Sequence, residues 1–214
     1  INGARMSDDD YTMLAELCGA IAVSHYDDDL CFNTVERLTG SGCKQVNIHQ
    51  LLSEETFDEC IAMIDKVQQD PRLENLNAVV FLWLKPKGSR NTLHPLSSRQ
   101  DYSRFVNKLL ESGIRFGFDS CGASNFAEVL PEEYKHLEVY VEPCESSLFS
   151  FYINVDGIAY PCSFAEGCSH GIGIDVKAID SFADVWNNGV VRMFRYNLLS
   201  HDRACPIYHL ELRA

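Results

Sequence analysis

The sequence predicts an α/β fold in which helices alternate with the strands of a parallel sheet, followed by a smaller region built on a β-hairpin. Residues 1–120 alternate amphipathic helical segments with short apolar runs. One run, NAVVFLWL, has no polar interruption after its asparagine, which is typical of a strand covered on both faces. Four strand–helix units in succession indicate a barrel or a doubly wound sheet.

Capping residues and apolar spacing mark each element of this first part. Ser7, followed by aspartates, begins a helix that ends at Gly19. Ser53 opens a later helix, and Ser98 with Asp101 begins another through a capping box. The predicted order is the Ser7 helix, a strand AIAVSH, a helix around Phe32–Leu38, a strand KQVNIHQLL, a helix with Phe57, Ile61, Ile64 and Val67, the strand NAVVFLWL, a helix with Phe105, Val106, Leu109 and Leu110, and a strand RFGFDSC.

Polar side chains gather near the ends of these predicted strands. Parallel sheets collect function at the carboxyl ends of their strands, so these residues are candidates for a site. We interpret the lysines among them as ordinary surface charges, and a satisfied core histidine is the competing interpretation for His49. The candidates are Ser24 and His25 after the first strand, Asn47 and His49 in the second, Lys85 and Lys87 after the third, and Asp119 and Cys121 after the fourth.

Charge and chain ends restrict the class of protein. The chain has 31 acidic and 18 basic side chains, a net charge of −13, and no basic patch, so neither nucleic acid nor a membrane is an expected partner. The opening INGARMSDDD lacks the regions of a signal peptide, and no apolar run could span a bilayer, which predicts a cytoplasmic protein. Asn2-Gly3 is typical of the tail of a strand, and the start at isoleucine predicts a fragment or processed product.

The nine cysteines divide into two groups. In a reducing compartment, cysteines favour metal ligation or catalysis over structural disulfides. Those in or beside predicted helices and strands are expected to pack as small apolar residues, namely Cys18, Cys31, Cys43 and Cys60. The spacing of the others suits a metal centre, and the candidate ligands are Cys121, Cys144, Cys162 and Cys205.

A predicted hairpin brings two of these thiols together. The alternating segment 149–155 is followed by Asp156-Gly157, which predicts a two-residue type I′ turn. That turn would pair Phe151 with Cys162. Cys162 would then lie at the open end of the hairpin, where the chain arrives from Cys144.

The pattern of the second region resembles the SPASM or twitch domain of radical S-adenosylmethionine (radical SAM) enzymes. It consists of Cys144, a glycine thirteen residues later, G-x4-C ending at Cys162, the segments YPCSF and DSFADVWNN, and the closing Cys205-Pro206. Upstream, NGARM, AVSHYDD, KQVNIHQLL and AVVFLWLKPKG resemble, in order, the third to sixth strands of the radical SAM partial barrel. The resemblance covers nearly the whole chain. It implies a partial parallel α/β barrel over residues 1–140 and a small α+β SPASM/twitch-like domain with a β-hairpin over residues 141–214.

The resemblance also implies ligands and partners. It assigns Cys144, Cys162 and Cys205 to an auxiliary 4Fe-4S cluster, and the usual last cysteine of the family falls at Tyr208. Cys121 is our choice for the fourth ligand, with Cys168 and His209 as alternatives. S-adenosylmethionine would contact Ser24 and Leu84, with Asn47 and His49 on the strand between them. A reductant such as ferredoxin or flavodoxin and a peptide or protein substrate are the implied partners.

One motif of the family does not occur in the sequence, namely the CxxxCxxC loop that binds the catalytic cluster. The first two strand–helix units of the family barrel are not found either, which predicts a half-barrel with an exposed edge strand. The intact parent protein would generate a substrate radical by hydrogen abstraction, whereas the isolated chain is expected to be inactive. The alternatives are a non-catalytic iron–sulfur or zinc module acting in binding or electron relay, and a plain α/β fragment without metal.

Overall fold

The larger part of the chain folds around a four-stranded parallel sheet. The structure, a computed structural model, describes residues 1–168, 172–208 and 210–213. The strands lie in the order of the sequence: β1 (Ile21–Ser24), β2 (Val46–Leu52), β3 (Ala78–Trp83) and β4 (Phe116–Phe118). Each strand therefore pairs with its successor, as in the wall of an α/β barrel. A doubly wound sheet would instead reverse its strand order at a switch point.

Four helices of this part lie at the predicted places, and a fifth, which follows β4, was not predicted from the sequence. They are α1 (Asp8–Leu17), α2 (Asp28–Gly40), α3 (Phe57–Gln69), α4 (Arg99–Ser112) and α5 (Ala123–Val129), with short 3-10 helices at Pro71–Leu73 and Glu132–Tyr140. The capping box of α1 is present, since Ser7 and Asp10 exchange hydrogen bonds. Thr56 is the N-cap of α3, so the prediction that this helix opens at Ser53 was three residues early. Across the described residues, no helix has the length and apolar content needed to cross a membrane.

One face of the sheet is more deeply buried than the other. Val23, Ile48 and Phe81 are fully buried in the core beneath α2, α3 and α4. Val80 and Leu82, which point to the opposite face of β3, are only half-buried. NAVVFLWL was predicted to be covered on both faces, and the structure covers one face fully and the other only in part.

The first residue of the chain extends the sheet beyond β1. The amino group of Ile1 donates to the carbonyl of Ala22 at 2.9 Å, and the amide of Ser24 donates to the carbonyl of Ile1 at 2.7 Å. These two bonds are the pattern of a parallel bridge between Ile1 and Val23. The opening residues thus take the position predicted for the tail of a strand.

The remaining elements form a second, antiparallel sheet with two helices. The sheet contains β5 (Tyr152–Ile153), β6 (Ile158–Tyr160) and β7 (Ile174–Asp175), and the helices are α6 (Phe182–Trp186) and α7 (Gly189–Ser200). A small core of Ala159, Ile174, Val185 and Val191 joins them. The closing segment returns to the larger part, where Leu210 packs in the main core. The division at residues 140 and 141 stays a prediction.

The hairpin turn differs from the prediction by one residue. Tyr152 pairs with Tyr160, and the amide of Asn154 donates to the carbonyl of Ile158 at 3.0 Å. Gly157 alone in the turn has a positive φ, of 80°. This is a three-residue loop ending in a left-handed glycine, and the predicted type I′ turn would need Asp156 in that conformation too. The predicted register, which paired Phe151 with Cys162, was therefore wrong. The observed pairing is shifted by one residue, so the side chains of one strand change faces relative to those of the other strand.

This turn leads to a test of the corrected register. Gly157→Ala should lower the free energy of unfolding by about 1 kcal/mol, because a Cβ is strained at positive φ. Asp156→Ala should change it by less than about 0.5 kcal/mol, since Asp156 does not need that conformation. Urea unfolding of the two variants measures the difference. Equal losses of stability in both variants would support the type I′ turn instead.

Candidate metal centre and cofactor face

Cysteines from separate segments converge between the two sheets. Cys121 follows β4, Cys144 precedes the hairpin and Cys205 follows α7, and all three line one small cavity. Cys162, directly after β6 and Pro161, interacts electrostatically with Cys205, as does Cys144. The structure thus brings the four predicted ligands into one region, although the hairpin register that was expected to do so is different.

Two arginines hold the loop that carries Cys144. Arg203 donates from Nε to the carbonyl of Cys144 at 2.8 Å and from a second nitrogen to the carbonyl of Pro143. Arg195 donates from Nε to the carbonyl of Ser147 at 2.7 Å. Because these bonds go to main-chain oxygens, the loop is positioned by α7 and the segment after it without any metal ion.

Backbone amides donate to two of the sulfurs. The amide of Phe164 lies 3.3 Å from Sγ of Cys162, and the amide of Tyr208 lies 3.4 Å from Sγ of Cys205. Such N–H donors favour a thiolate over a thiol, and hydrogen bonds to ligand sulfurs help set the potential of an iron–sulfur cluster. Tyr208 thus contributes its amide at the position where the resemblance places a cysteine.

Burial opposes ionisation of two of the candidate thiols, those of Cys121 and Cys205. Burial raises the pKa of Cys121 to about 12, against a partial opposing effect of Lys85. Burial also raises the pKa of Cys205, with backbone hydrogen bonds acting in the other direction. Protonated thiols do not ligate metals, so a cation that binds here must displace protons.

The spacing of the sulfurs is wider than a single zinc ion requires. With Zn–S bonds of about 2.3 Å, a tetrahedral zinc ion holds its ligand sulfurs about 3.8 Å apart. Among the described residues, no three cysteine sulfurs lie within 4.8 Å of one another. The described sulfurs therefore do not form a preassembled tetrahedral zinc site.

A buried ion pair borders this region. The side chain of Lys85 is only 8% exposed, and its Nζ donates to Asp119, which is 19% exposed. The other carboxylate oxygen of Asp119 accepts from the amides of Trp83 and Gly122. The interpretation of Lys85 as a surface charge was therefore wrong. The pair lies at the carboxyl ends of β3 and β4, and its cation reaches Cys121 electrostatically.

The remaining cysteines divide as expected from the sequence. Cys31, Cys43 and Cys60 are buried in the main core, and Cys18 packs against it. Cys168, an alternative fourth ligand, donates to the carbonyl of Phe164 at 3.3 Å. His209, the other alternative, lies outside the described residues.

The predicted cofactor residues share the less covered face of the sheet. Ser24 pairs with His49 across β1 and β2, and Asn47 lies on the same side of β2, two residues before His49. Asn47 accepts a hydrogen bond from Asn77 at 2.8 Å. Leu84 is 7% exposed, and its amide donates to the carbonyl of Leu52. Ser24, Asn47 and His49 therefore form a half-buried polar patch, to which Leu84 would contribute apolar surface.

His49 should titrate at lower pH than an ordinary histidine. Burial lowers its pKa from 6.5, and the positive N-terminus acts in the same direction. The contribution of His49 to stability is therefore present above about pH 6.5 and is lost as the pH falls through the lowered pKa. His94 is the internal control, because its hydrogen bond with Glu55 raises its pKa. An NMR titration in which His49 did not titrate below His94 would contradict this account.

Sequence reasoning missed the groups that support the site. Arg195 and Arg203 act through main-chain carbonyls, and nothing in their spacing indicates those partners. Asp119 was placed at a strand end, but its pairing with Lys85 depends on how β3 and β4 lie side by side. The sequence did offer one signal for this ion pair, namely a lysine and an aspartate at the ends of successive predicted strands.

The comparisons with known proteins bear on the fold. No family model and no curated protein sequence matches the chain. The crystal structure of Streptococcus suis SuiB bound to S-adenosylmethionine matches 91% of this chain and 48% of that chain, with a TM-score of 0.62 and 14% identity. The chain thus spans about half the length of that protein. At the coarse level of the parallel sheet and its helices, the chain shares the fold of that protein, and the predicted α/β class is confirmed.

Proposed function

We propose that the chain is a portion of a radical SAM-type protein and binds an auxiliary 4Fe-4S cluster. The observation that carries the proposal is the convergence of Cys121, Cys144 and Cys205 on one cavity, with Cys162 beside Cys205. Thiolates are the usual ligands of such clusters. The S-adenosylmethionine bound by the structural neighbour supports the same class of chemistry.

The ligand set of the proposal is Cys121, Cys144, Cys162 and Cys205. Cys121 is preferred to Cys168 as the fourth ligand because it lines the same cavity as Cys144 and Cys205. Lys85 supplies a positive charge near Cys121, which favours its thiolate form. The amides of Phe164 and Tyr208 would donate to two ligand sulfurs.

The patch formed by Ser24, Asn47 and His49 is the proposed contact for S-adenosylmethionine. The neutral form of His49 is favoured by its lowered pKa, so its ring can offer one donor and one acceptor at neutral pH. In the intact parent protein, which would carry the catalytic cluster, the chemistry supplied would be one-electron reduction of S-adenosylmethionine and hydrogen abstraction from a substrate. A peptide or protein is the proposed substrate class. A small electron-transfer protein, such as ferredoxin or flavodoxin, is the proposed reductant.

Anaerobic reconstitution with iron and sulfide tests the proposal. We expect about four iron ions per chain, as one cubane held by four thiolates requires. The isolated chain should release no 5′-deoxyadenosine from S-adenosylmethionine under strong reductant, because the CxxxCxxC spacing does not occur in it. Failure to retain iron would refute the cluster assignment, and nucleoside release at enzyme-like rates would refute the need for a further cluster-binding segment.

A further inference from the structure

A buried histidine lies at the opposite side of the sheet from the cysteines. His25 directly follows β1, and its side chain is 1% exposed. Its ring stacks on Phe32, with ring centroids 6.0 Å apart. Nε2 lies 2.9 Å from a carboxylate oxygen of Asp28, within hydrogen-bond distance. Because a carboxylate only accepts, Nε2 carries a hydrogen, and in the neutral ring Nδ1 then has a lone pair.

Within the described part of the chain, the second ring nitrogen has no hydrogen-bond partner. Nδ1 of His25 is buried, and its nearest acidic neighbour is Oε1 of Glu59 at 3.7 Å. A lone pair that faces a carboxylate is unfavourable unless a cation lies between them. A buried nitrogen in this position therefore points to a ligand.

The separation of these two atoms discriminates among the possible cations and bridges. A direct N–H···O bond would hold them no more than about 3.2 Å apart, and a bridging water about 4.5 Å apart. A tetrahedral zinc ion, with bonds of about 2.1 Å to nitrogen and oxygen, would hold them about 3.4 Å apart. The observed 3.7 Å is nearest to the zinc separation.

The charges around the histidine leave Glu59 without a cation. Lys66 contacts both carboxylate oxygens of Asp28, at 2.8 Å and 2.7 Å, so the charge of Asp28 is already balanced. Asp28 is therefore suited to orient the histidine, in the manner of the carboxylate that commonly supports a metal-bound imidazole. Glu59 is 44% exposed and open to water, which could complete the coordination of an ion.

We propose that Nδ1 of His25 and the carboxylate of Glu59 bind a zinc ion, with Asp28 as a positioning residue and water as the remaining ligands. The ion would join the segment between β1 and α2 to the first turn of α3. The site is separate from the cysteines, since β1 and β4 lie at opposite ends of the sheet. It is therefore independent of the proposed cluster and can fail or succeed on its own.

Zinc titration calorimetry tests this site on a chain in which serine replaces Cys121, Cys144, Cys162 and Cys205, so that the thiols of the candidate cluster site cannot compete for zinc. We expect one zinc ion per chain. Glu59→Gln should weaken binding at least tenfold, and Asp28→Asn should weaken it about 10- to 100-fold. Asp58→Asn is the matched control, because Asp58 is exposed in the same helical turn and loses the same charge. It should leave the affinity within about twofold.

Two results would overturn the proposal. One is the lack of binding up to about 1 mM zinc, and the other is equal affinity of the Glu59→Gln and Asp58→Asn chains. If the serine variant does not fold, cobalt(II) loading of the unaltered chain gives a second readout. Nitrogen and oxygen ligation should produce visible absorption without thiolate charge transfer, and Glu59→Gln alone should remove it. Cobalt spectra of thiolate type only, unchanged by Glu59→Gln, would contradict the site.

Discussion

Replacing Cys144 by alanine is expected to abolish stable iron binding after anaerobic reconstitution, and Cys162→Ala should do the same. Each removes one thiolate from a set of four, and the remaining ligands leave one iron of a cubane open to solvent and exchange. Cys144 is 8% exposed, and its loop is held by Arg203 through the Cys144 carbonyl. The alanine chain should therefore fold with the same loop and differ mainly in its iron content.

Cys60→Ala is the control for this loss. Cys60 is fully buried in the main core, far along the sequence from the candidate ligands, and burial raises its pKa to about 12. Its removal costs packing but should leave the iron content unchanged. Iron and sulfide analysis with electron paramagnetic resonance measures all three chains. Full iron in both the Cys144→Ala and Cys162→Ala chains would show that the ligand set is wrong.

The second large effect is expected from Asp119→Asn, which should lower the free energy of unfolding by about 3 kcal/mol. Asparagine keeps an oxygen that can accept from the amides of Trp83 and Gly122, so the change isolates the charge. Lys85, only 8% exposed, would then lie buried without its counter-ion. Removing one partner of a buried pair is costly because the other charge stays desolvated.

Two further variants separate the buried charge from other causes. Glu138→Gln breaks the exposed pair with Lys135 and should cost less than about 1 kcal/mol. Lys85→Met combined with Asp119→Asn removes both charges and should recover much of the stability that Asp119→Asn loses. Urea unfolding of the unaltered chain and of these three variants gives the four free energies of unfolding. If Asp119→Asn cost no more than Glu138→Gln, the pair would not be buried in the sense proposed.

The sequence predicted the order of the elements well because each has a local signal. Ser7 and Ser98 cap their helices as expected, and the apolar runs mark the four parallel strands. Local signals did not choose between a barrel and a doubly wound sheet, since that choice depends on which strands pair. The pairing of β1 with β2, β2 with β3 and β3 with β4 resolved it.

The hairpin shows where local reasoning fails. Asp156-Gly157 fits a type I′ turn as well as it fits the end of a three-residue loop, and only the positive φ of Gly157 and the pairing of Tyr152 with Tyr160 separate them. A difference of one residue in the turn changed which side chain faces Cys162. Cys144 and Cys162 nevertheless both interact electrostatically with Cys205, which arrives from α7 and not from the hairpin.

The sequence pointed to the candidate thiols but not to the residues that support them. Cysteine spacing predicted Cys121, Cys144, Cys162 and Cys205 as metal ligands, the structure places them in one region, and their binding of a metal stays a prediction. Lys85, Arg203 and the pairing of His25 with Glu59 depend on contacts between distant segments. No periodicity or spacing in one sequence carries that information.

Anomalous diffraction at the iron edge from crystals of the reconstituted chain tests the central claim most directly. We predict a single iron peak enclosed by the sulfurs of Cys121, Cys144, Cys162 and Cys205. Iron located elsewhere, or a peak that only one or two of these sulfurs approach, would contradict the proposed cluster and the function built on it.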